Sequence, residues 1–511
     1  MLNRIRLPRA LRPPAQINAE EGTNGYPETN RGKTAPNEAE NGKKEGQSKD
    51  KSEMKPVGFW HPDLRQVRNR AMVKWIITTS FLMAFILAIL SLYWAVFFKV
   101  EDRLSHLLVY VVDMDGITPY DNTGTAPFVG PTITKLVEQQ ISSGKPTLGW
   151  GIRPASDFNN DPFAVHQAVY DFDAWAAIII NPNASALLYS AIATGNASYD
   201  PLGACQLVYQ DSRDDTNWFD FMFPIISQLM TQAQSQVGQT WAQMVLQNAS
   251  SNPDILSSMQ KVPQALNPSI GFSEYNLRPF YPYTAIPAVS IGLIYLADLI
   301  IISFFSFSFY MPIHMQYVTP GEHPPLKFHQ LILWRWCATL SAYFMLSLAY
   351  SFVSLAFQIN FSHTNPITSE TLPTLESAGN PISYGSGTFV VYWMLNFFGM
   401  IALGLACENV AMLVGMPWMG LFLIFWVITN VSTSFYDIEI APGFYRWGYA
   451  WPLHSIVEGS RSILFDLHSR LGLDFGILIA WGAVNTAFFP FCCWFMRWKT
   501  QKGIHEYWPL D

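Results

Sequence analysis

Hydrophobic residues in this chain are concentrated in long uncharged runs, separated by one extended stretch of mixed composition. The first run, WIITTSFLMAFILAILSLYWAVFF, places 24 uncharged residues between Lys74 and Lys99. About 20 apolar residues cross the hydrocarbon core of a bilayer as a helix, so this run predicts a transmembrane helix. Similar runs predict five further spans, at 285–308, 331–357, 388–413, 418–434 and 475–496. The run at 418–434 is short, and the sequence leaves open whether it crosses completely.

The stretch between the first two spans, residues 99–284, has a different pattern. Short apolar runs rich in β-branched residues alternate with segments of helical periodicity, which predicts an α/β domain. The predicted strands are LLVYVVDMD, TLGWGI, WAAIIINP and GACQLVYQD, and the predicted helices are GPTITKLVEQQIS, DPFAVHQAVYDF and a long helix or helical hairpin over 217–260.

The chain is therefore predicted to be an α-helical polytopic membrane protein of about six transmembrane helices, with a large α/β extracytoplasmic domain between helices 1 and 2. Half of its residues are hydrophobic and 14% are charged, whereas about a quarter are charged in soluble domains. The predicted divisions are a disordered basic arm (1–70), the first helix (71–98), the α/β domain (99–284), a five-helix region (285–500) and a tail (501–511).

The distribution of charge predicts the orientation in the membrane. Residues 1–74 hold 15 Lys and Arg against 9 Asp and Glu, whereas residues 99–284 hold 8 against 17. Basic flanks remain in the cytoplasm, which places both termini there and the acidic domain outside. Sequons for N-glycosylation agree with this arrangement, since all of them lie on the predicted outer side: Asn183, Asn196, Asn248, Asn360 and, at the outer end of the fifth span, Asn430.

The motif Asp113-x-Asp115 follows the first predicted strand and resembles the nucleophile loop of haloacid-dehalogenase phosphatases. It begins too close to the first span to leave room for the rest of such a domain, so Asp113 and Asp115 are better interpreted as turn and helix-cap acceptors. No catalytic residue, metal site or cofactor is predicted, because no phosphate-binding loop occurs and the cysteines and histidines match no metal-ligand spacing.

Polar residues inside the predicted spans are the candidates for a functional site. Asp298 lies near the middle of the second span, and Asn396 and Asn485 lie near the middle of theirs; together they form a candidate transport pathway, because a buried polar group in a membrane usually marks a pathway or a partner. Arg335 and Glu408 are a candidate structural ion pair between two spans.

An additional helix is predicted just before the last span. The segment 451–470 has near-helical spacing of apolar residues beside charged ones, which predicts an amphipathic helix lying at the outer surface or dipping into it. Its marked residues are Pro452, Glu458 and Arg461.

Three blocks, YWAVFFKVEDRLSHLLVYVVDMDG, FNNDPFAVHQAVYDFDAWAAIIINPNAS and GNASYDPLGACQLVYQDSRDD, resemble the fungal nitrosoguanidine-resistance membrane proteins, which carry a domain of unknown function. The order of one span, a large outer domain and five spans is also similar to phage-infection proteins and to ABC-2-type membrane domains. In the latter comparison, PLHSIVEGSR is similar to an outer helix with Pro, Glu and Arg at matching positions.

The resemblance implies a plasma-membrane protein that confers resistance to toxic compounds. The predicted function is a transporter-like protein that moves or excludes amphiphilic drugs or lipids. The alternative is a non-transporting organiser whose outer domain binds lipid, cell wall or a partner protein. An enzyme is not predicted; the expected partners are the lipid bilayer and amphiphilic small molecules, a homo-oligomer is left open, and no nucleic acid is expected.

Overall fold

The computed structural model describes residues 57–121, 125–251, 254–289, 309–314, 316–317, 326–359, 361, 384, 387–415 and 418–502. The chain divides into two compact units, Met1–Val73 and Lys74–Asp511. In the described part of the first unit, the Arg68 guanidinium lies over the rings of Phe59 and Trp60, 5.6 and 5.1 Å from their centroids. The long helix α1, Arg65–Val96, begins in this unit.

The second unit contains a five-stranded sheet with its helices, here named the sheet domain (residues 99–284). Its strands are β1 (Leu108–Asp113), β2 (Gly149–Pro154), β3 (Ala176–Ile180), β4 (Cys205–Tyr209) and β5 (Phe272–Asn276). Its helices are α2 (Val129–Ser142), α3 (Pro162–Tyr170), α4 (Ala184–Thr194), α5 (Phe223–Ser251) and α6 (Asp254–Lys261), with a short turn of helix at Asp215–Asn217. The four predicted strands and the long helical segment after them are confirmed, and β5 is an additional strand.

The strand order is β2-β1-β3-β4-β5. All neighbouring pairs are parallel except β3 and β4, which are antiparallel. Along β1, Val109 and Val111 face one hydrophobic core with α2, α4 and α5, while Tyr110 and Val112 face a second core with α3. Both faces of the sheet are thus covered, which explains why its central strands are nearly continuous apolar runs.

The rest of the second unit is a helical bundle. Its helices are α7 (Phe328–Ala356), α8 (Thr388–Val414), α9 (Trp418–Ser432), α10 (Pro452–Phe465) and α11 (Leu471–Gln501), and a short helix, Ile286–Val289, precedes them. Helix α8 contacts α7, α9, α10 and α11. It lies at the centre of the bundle, since most of its side chains are buried against these neighbours.

Four helices of the described residues are long and apolar enough to cross a membrane, at Pro62–Val96, Phe328–Ala356, Thr388–Val414 and Leu471–Gln501. They correspond to four of the six predicted spans. The predicted fifth span forms α9, whose 15 residues reach only about 22 Å at 1.5 Å per residue, less than the roughly 30 Å of a hydrocarbon core. Most of the predicted second span, 285–308, lies outside the described residues.

The predicted outer amphipathic helix needs a correction. A helix does form, as α10, but it does not lie at a surface, since twelve of its fourteen residues are buried. It packs against α8 and α11 and also contacts a turn of the sheet domain. The apolar side chains at helical spacing therefore face protein on all sides, and Arg461 is buried with them.

Candidate functional site

Helix α7 buries only polar side chains. Those residues are Arg335, Thr339, Tyr343, Ser347, Ser351 and Ser354. All but the last are four residues apart, and positions four apart lie on the same helix face. Together with Tyr392, Asn396 and Glu408 on α8, this face is here named the polar seam. It runs along a helix whose other residues are mostly apolar.

One end of the polar seam contains a buried carboxylate. Glu408 is 4% exposed. It accepts hydrogen bonds from the hydroxyls of Thr339 and Tyr343, each 3.1 Å from Oε1. Arg335 lies close enough for its positive charge to act on this carboxylate. The predicted partners Arg335 and Glu408 are therefore brought together across α7 and α8.

The Arg335 guanidinium has several further neighbours. Its Nη1 atom lies 3.3 Å from the Met412 sulfur and 3.5 Å from the Cys493 sulfur. Arg335 and Glu408 also line a cavity of about 10 Å³, with His314 on its wall, which is roughly the space of one water molecule. A cation, a carboxylate and two hydroxyls thus meet in a site that excludes almost all solvent.

The other end of the polar seam is a chain of neutral hydrogen bonds. The Asn396 amide donates to the Ser351 hydroxyl at 3.1 Å, and the Ser351 hydroxyl donates to the Ser347 carbonyl at 2.8 Å. Ser354 and Tyr392 share a hydrogen bond of 3.2 Å. Buried hydroxyls and amides are satisfied here by each other, as expected where no water competes.

The other two predicted pathway residues do not join the polar seam. Asn485 lies on α11. Its amide donates to the Ala402 carbonyl of α8 at 3.3 Å, so it contacts a different face of α8 from the one that carries Asn396. Asp298 lies outside the described residues. Six members of the seam are not among the residues predicted from the sequence, although the four-residue spacing of polar residues from Arg335 to Ser351 is visible in the printed chain. They are Thr339, Tyr343, Ser347, Ser351, Ser354 and Tyr392.

A second cluster of buried charge joins the sheet domain to α10 and is here named the docking network. Arg461 lies 3.5 Å from the Asp214 carboxylate and 3.1 Å from the Glu458 carboxylate. Arg278 lies 3.4 Å from the Asp466 carboxylate and donates from Nε to the Asp466 carbonyl at 2.8 Å. The sequence singles out Glu458 and Arg461 but not the partners across the interface, because those partners lie far away in the chain.

Burial perturbs the carboxyl groups of the docking network. It raises the pKa of Asp214 to about 6, against the opposing charge of Arg461. It raises the pKa of Asp466 to about 6 in the same way, against Arg278. Asp437, between α9 and α10, is counted with this network because Glu458 acts on it: burial first, and then the negative charges of Glu439 and Glu458, raise its pKa. Several acids here thus carry their negative charge only at a cost.

The motif at the end of β1 acts as a structural anchor. Asp115 accepts hydrogen bonds from the backbone of Gly130 at 3.1 Å, in α2, and of Ser185 at 2.9 Å, in α4. It therefore caps the N-terminal turns of two helices, where an anion would otherwise be favoured. A Cβ on Gly130 would collide with the Asp113 carboxylate, so a larger residue there would displace this side chain. The predicted cap role of Asp115 is confirmed.

The predicted glycosylation sites differ in exposure. Asn196 is exposed just after α4, and its side-chain oxygen accepts from the Ser198 backbone at 3.0 Å. Asn248 is exposed on α5, and Asn183 is half-buried beside the buried Ser185. Asn430 is fully buried in the bundle, and Asn360 lies outside the described residues.

Comparison with known proteins gives the family of the chain. Residues 78–487 match the family described as "Protein of unknown function (DUF3533)". The chain belongs to this family. It is also 26% identical over 464 residues to an uncharacterized endoplasmic reticulum membrane protein of Saccharomyces cerevisiae, with 88% of this chain and 85% of the relative covered. No solved structure matches significantly.

The family and the helices together define the class of the protein. A DUF3533 protein with four described helices able to cross a bilayer is an integral membrane protein. The polar seam lies between two of these helices, and the docking network joins the sheet domain to the bundle. Both sites contain buried charged side chains, and both are therefore candidates for a functional role.

Proposed function

We propose that this protein is a transporter-like membrane protein that moves or excludes amphiphilic drugs or lipids, and that the polar seam is its working element. The observation that carries the proposal is the Glu408 carboxylate, buried between α7 and α8 with Arg335 beside it. The proposal assigns no enzymatic role. Resistance to toxic compounds would follow from removal of such amphiphiles from the membrane.

The cost of burying charge supports this assignment. Hydroxyls and amides alone hold transmembrane helices together, so the neutral part of the polar seam could be purely structural. A carboxylate buried within a membrane-spanning helix is costly, and such groups pair with another charge, line a path or take part in proton transfer. The Thr339 and Tyr343 hydroxyls bound to Glu408 would respond to such a change, because a protonated carboxyl has fewer acceptor sites to offer them.

The location and orientation belong to the proposal. We place both termini in the cytoplasm and the sheet domain outside, on the basis of the basic N-terminal flank and the acidic sheet domain. We propose the plasma membrane, whereas the relative from yeast is described as an endoplasmic reticulum protein. Fluorescence of a C-terminally tagged full chain beside markers of both membranes distinguishes the two.

The test is flux through reconstituted liposomes. Wild-type protein is expected to move a fluorescent amphiphile across the bilayer faster than protein-free liposomes, and a pH gradient is expected to change the rate. The variant Glu408→Gln is expected to lose this flux, because the amide keeps the shape of the side chain but cannot ionise. Glu274→Gln, which makes the same chemical change in the sheet domain, is the matched control and should retain it.

Size-exclusion profiles of both variants establish that they are folded. Full flux in a folded Glu408→Gln protein would show that the carboxylate is structural and would remove the polar seam from the mechanism.

A second candidate function is a non-transporting organiser, in which the bundle anchors a sheet domain that binds lipid, cell wall or a partner protein. The small size of the cavity at the polar seam, about 10 Å³, favours it, since no amphiphile fits there. The two buried ion pairs of the docking network, which fix the sheet domain on α10, favour it as well. Wild-type liposomes without any flux would support this candidate over the first.

A further inference from the structure

The sheet domain contains a cavity of about 230 Å³ between α4, α5 and α6. Most of its walls are aromatic and aliphatic side chains: Tyr189 and Ile192 from α4, Trp241 and Val245 from α5, and Ile255 from α6; the polar side chains of Asn248 from α5 and Ser258 from α6 line it as well. A cavity of about 150 Å³ lined by Leu, Ile and Phe stays dry and binds benzene. In proportion, this cavity has room for about nine carbon atoms.

The polar atoms of the aromatic residues do not serve the cavity. The Trp241 indole nitrogen donates to the Ala265 carbonyl at 2.8 Å, and the Tyr189 hydroxyl lies 3.7 Å from the Met244 sulfur. Trp241 also stacks on Phe128 with centroids 5.3 Å apart, which holds the ring rigidly. Water needs two or more polar partners in a cavity, so the side formed by Trp241 and Tyr189 favours hydrocarbon over water.

The polar part of the lining lies on α5 and α6, at Asn248 and Ser258. Lys261, one turn after Ser258 on α6, is exposed. The Lys261 side chain extends along the end of α4, where its Cδ lies 3.3 Å from the position of a Cβ on Gly195. Gly195 follows two residues after Ala193, which also lines the cavity. A positive charge thus lies beside an apolar pocket of limited length.

We propose that this cavity binds a medium-chain fatty acid, with the hydrocarbon chain against Trp241 and the carboxylate at Lys261. The apolar wall selects the chain, the volume limits its length, and the ammonium group complements the acid. The site lies entirely in the sheet domain, so the proposal does not depend on transport through the polar seam.

Photolabelling of the full-length protein in lipid nanodiscs tests the site. The probe is decanoic acid that carries a diazirine on its chain, and labelled peptides are mapped by mass spectrometry. Labelling is expected in the peptides of α4 and α6, and an excess of decanoate is expected to suppress it. The variant Glu408→Gln should be labelled like the wild type, which separates this site from the proposed function.

Filling the cavity provides the decisive variants. Ala193→Phe and Ser258→Phe add a ring from α4 and from α6 and are expected to lose the labelling of both helices. Leu187→Phe, on an exposed position of α4 outside the cavity, is the matched control and should keep it. Unchanged labelling in both filled variants, or labelling spread evenly over the membrane helices of the wild type, would overturn the proposal.

A change at Lys261 tests recognition of the acid. Lys261→Gln is expected to weaken competition by decanoate by roughly two- to fivefold, as for a partly exposed ion pair, and to leave competition by decanol unchanged. Equal competition by decanoate and decanol in the wild type would show that the pocket binds the hydrocarbon chain without recognising the carboxylate. The assignment to fatty acids would then be wrong.

Discussion

Arg461 of α10 and Asp214 of the sheet domain form an ion pair of 3.5 Å in which the two side chains are only 4% and 1% exposed. The guanidinium also binds Glu458, so a single cation connects the end of β4 and the bundle. Two charges so deeply buried are stable only together, because each alone would keep its full desolvation cost. The attachment of the sheet domain to the bundle is therefore sensitive to either partner.

Replacement of Arg461 by Met is expected to lower the free energy of unfolding by about 3–5 kcal/mol, because it leaves Asp214 buried and unpaired. Urea titration of the protein in nanodiscs, followed by tryptophan fluorescence, measures it. Combining Arg461→Met with Asp214→Asn should recover most of the loss, since the amide still caps Asn217 without a charge.

The control for this change is the exposed pair of Arg153 and Asp157, 3.8 Å apart. Arg153→Met is expected to cost no more than about 1 kcal/mol, as exposed pairs do. Equal stability of Arg461→Met and Arg153→Met would contradict the importance of the buried pair.

The docking network should make stability depend on pH. Folding raises the pKa of Asp214 from 3.8 to about 6 and raises that of Asp437 as well, mainly through burial. The folded protein then binds protons that the unfolded chain has released, so this contribution is present at low pH and is lost as pH rises through the folded pKa values.

The variant Asp437→Asn tests this dependence, because it resembles the protonated acid and still accepts from the Glu439 backbone. It is expected to be more stable than the wild type near about pH 8 and equally stable near about pH 4.5. The measurement is thermal unfolding at both pH values. Glu138→Gln, an exposed carboxyl on α2, should show no such difference; a stability gain in Asp437→Asn that does not depend on pH would refute the explanation.

Asp115 is expected to matter more for stability than an ordinary helix cap. Asp115→Ala removes acceptors from the first turns of α2 and α4 together, with an expected loss of about 2–3 kcal/mol. Asp161→Ala, which removes the single exposed cap of α3, is the control and should cost about 1 kcal/mol. Urea titration compares the loss of unfolding free energy in the two variants. A smaller loss for Asp115→Ala than for Asp161→Ala would mean that water replaces the Asp115 carboxylate as the acceptor.

Glycosylation at Asn196 provides a test of the orientation. If the sheet domain faces away from the cytoplasm, this sequon should carry a glycan, and Asn196→Gln and Ser198→Ala should each increase electrophoretic mobility by one glycan. Ser198→Thr preserves the sequon and should migrate like the wild type. Insensitivity of the wild-type protein to an N-glycosidase would argue against the outward orientation.

The helices and strands of the fold can be predicted from short stretches of the sequence. The uncharged run before Lys99 predicts α1, and the β-branched run around Val111 predicts β1, because each pattern involves neighbouring residues only. The polar side chains from Arg335 to Ser351 are equally local, at a spacing of four residues. That spacing is sufficient by itself to assign them to one face of a helix.

The partners of these elements required tertiary structure. Nothing near Arg461 indicates that Asp214 neutralises it, and a helix with apolar and charged residues fits a membrane surface as well as a protein interior. Asn396 and Asn485 look equivalent in sequence, yet Asn396 bonds from α8 to α7, whereas Asn485 lies on α11 and bonds to another face of α8.

The sequence by itself thus determined where this protein forms helices and strands and which segments can enter a bilayer, because hydrophobic periodicity acts over a few residues. Only the tertiary structure decided which buried charges meet, that α10 is an internal helix, and that a pocket lies under α4. Those outcomes depend on contacts between residues far apart in the chain, and burial of a charge is stable only when such a contact supplies its counterpart.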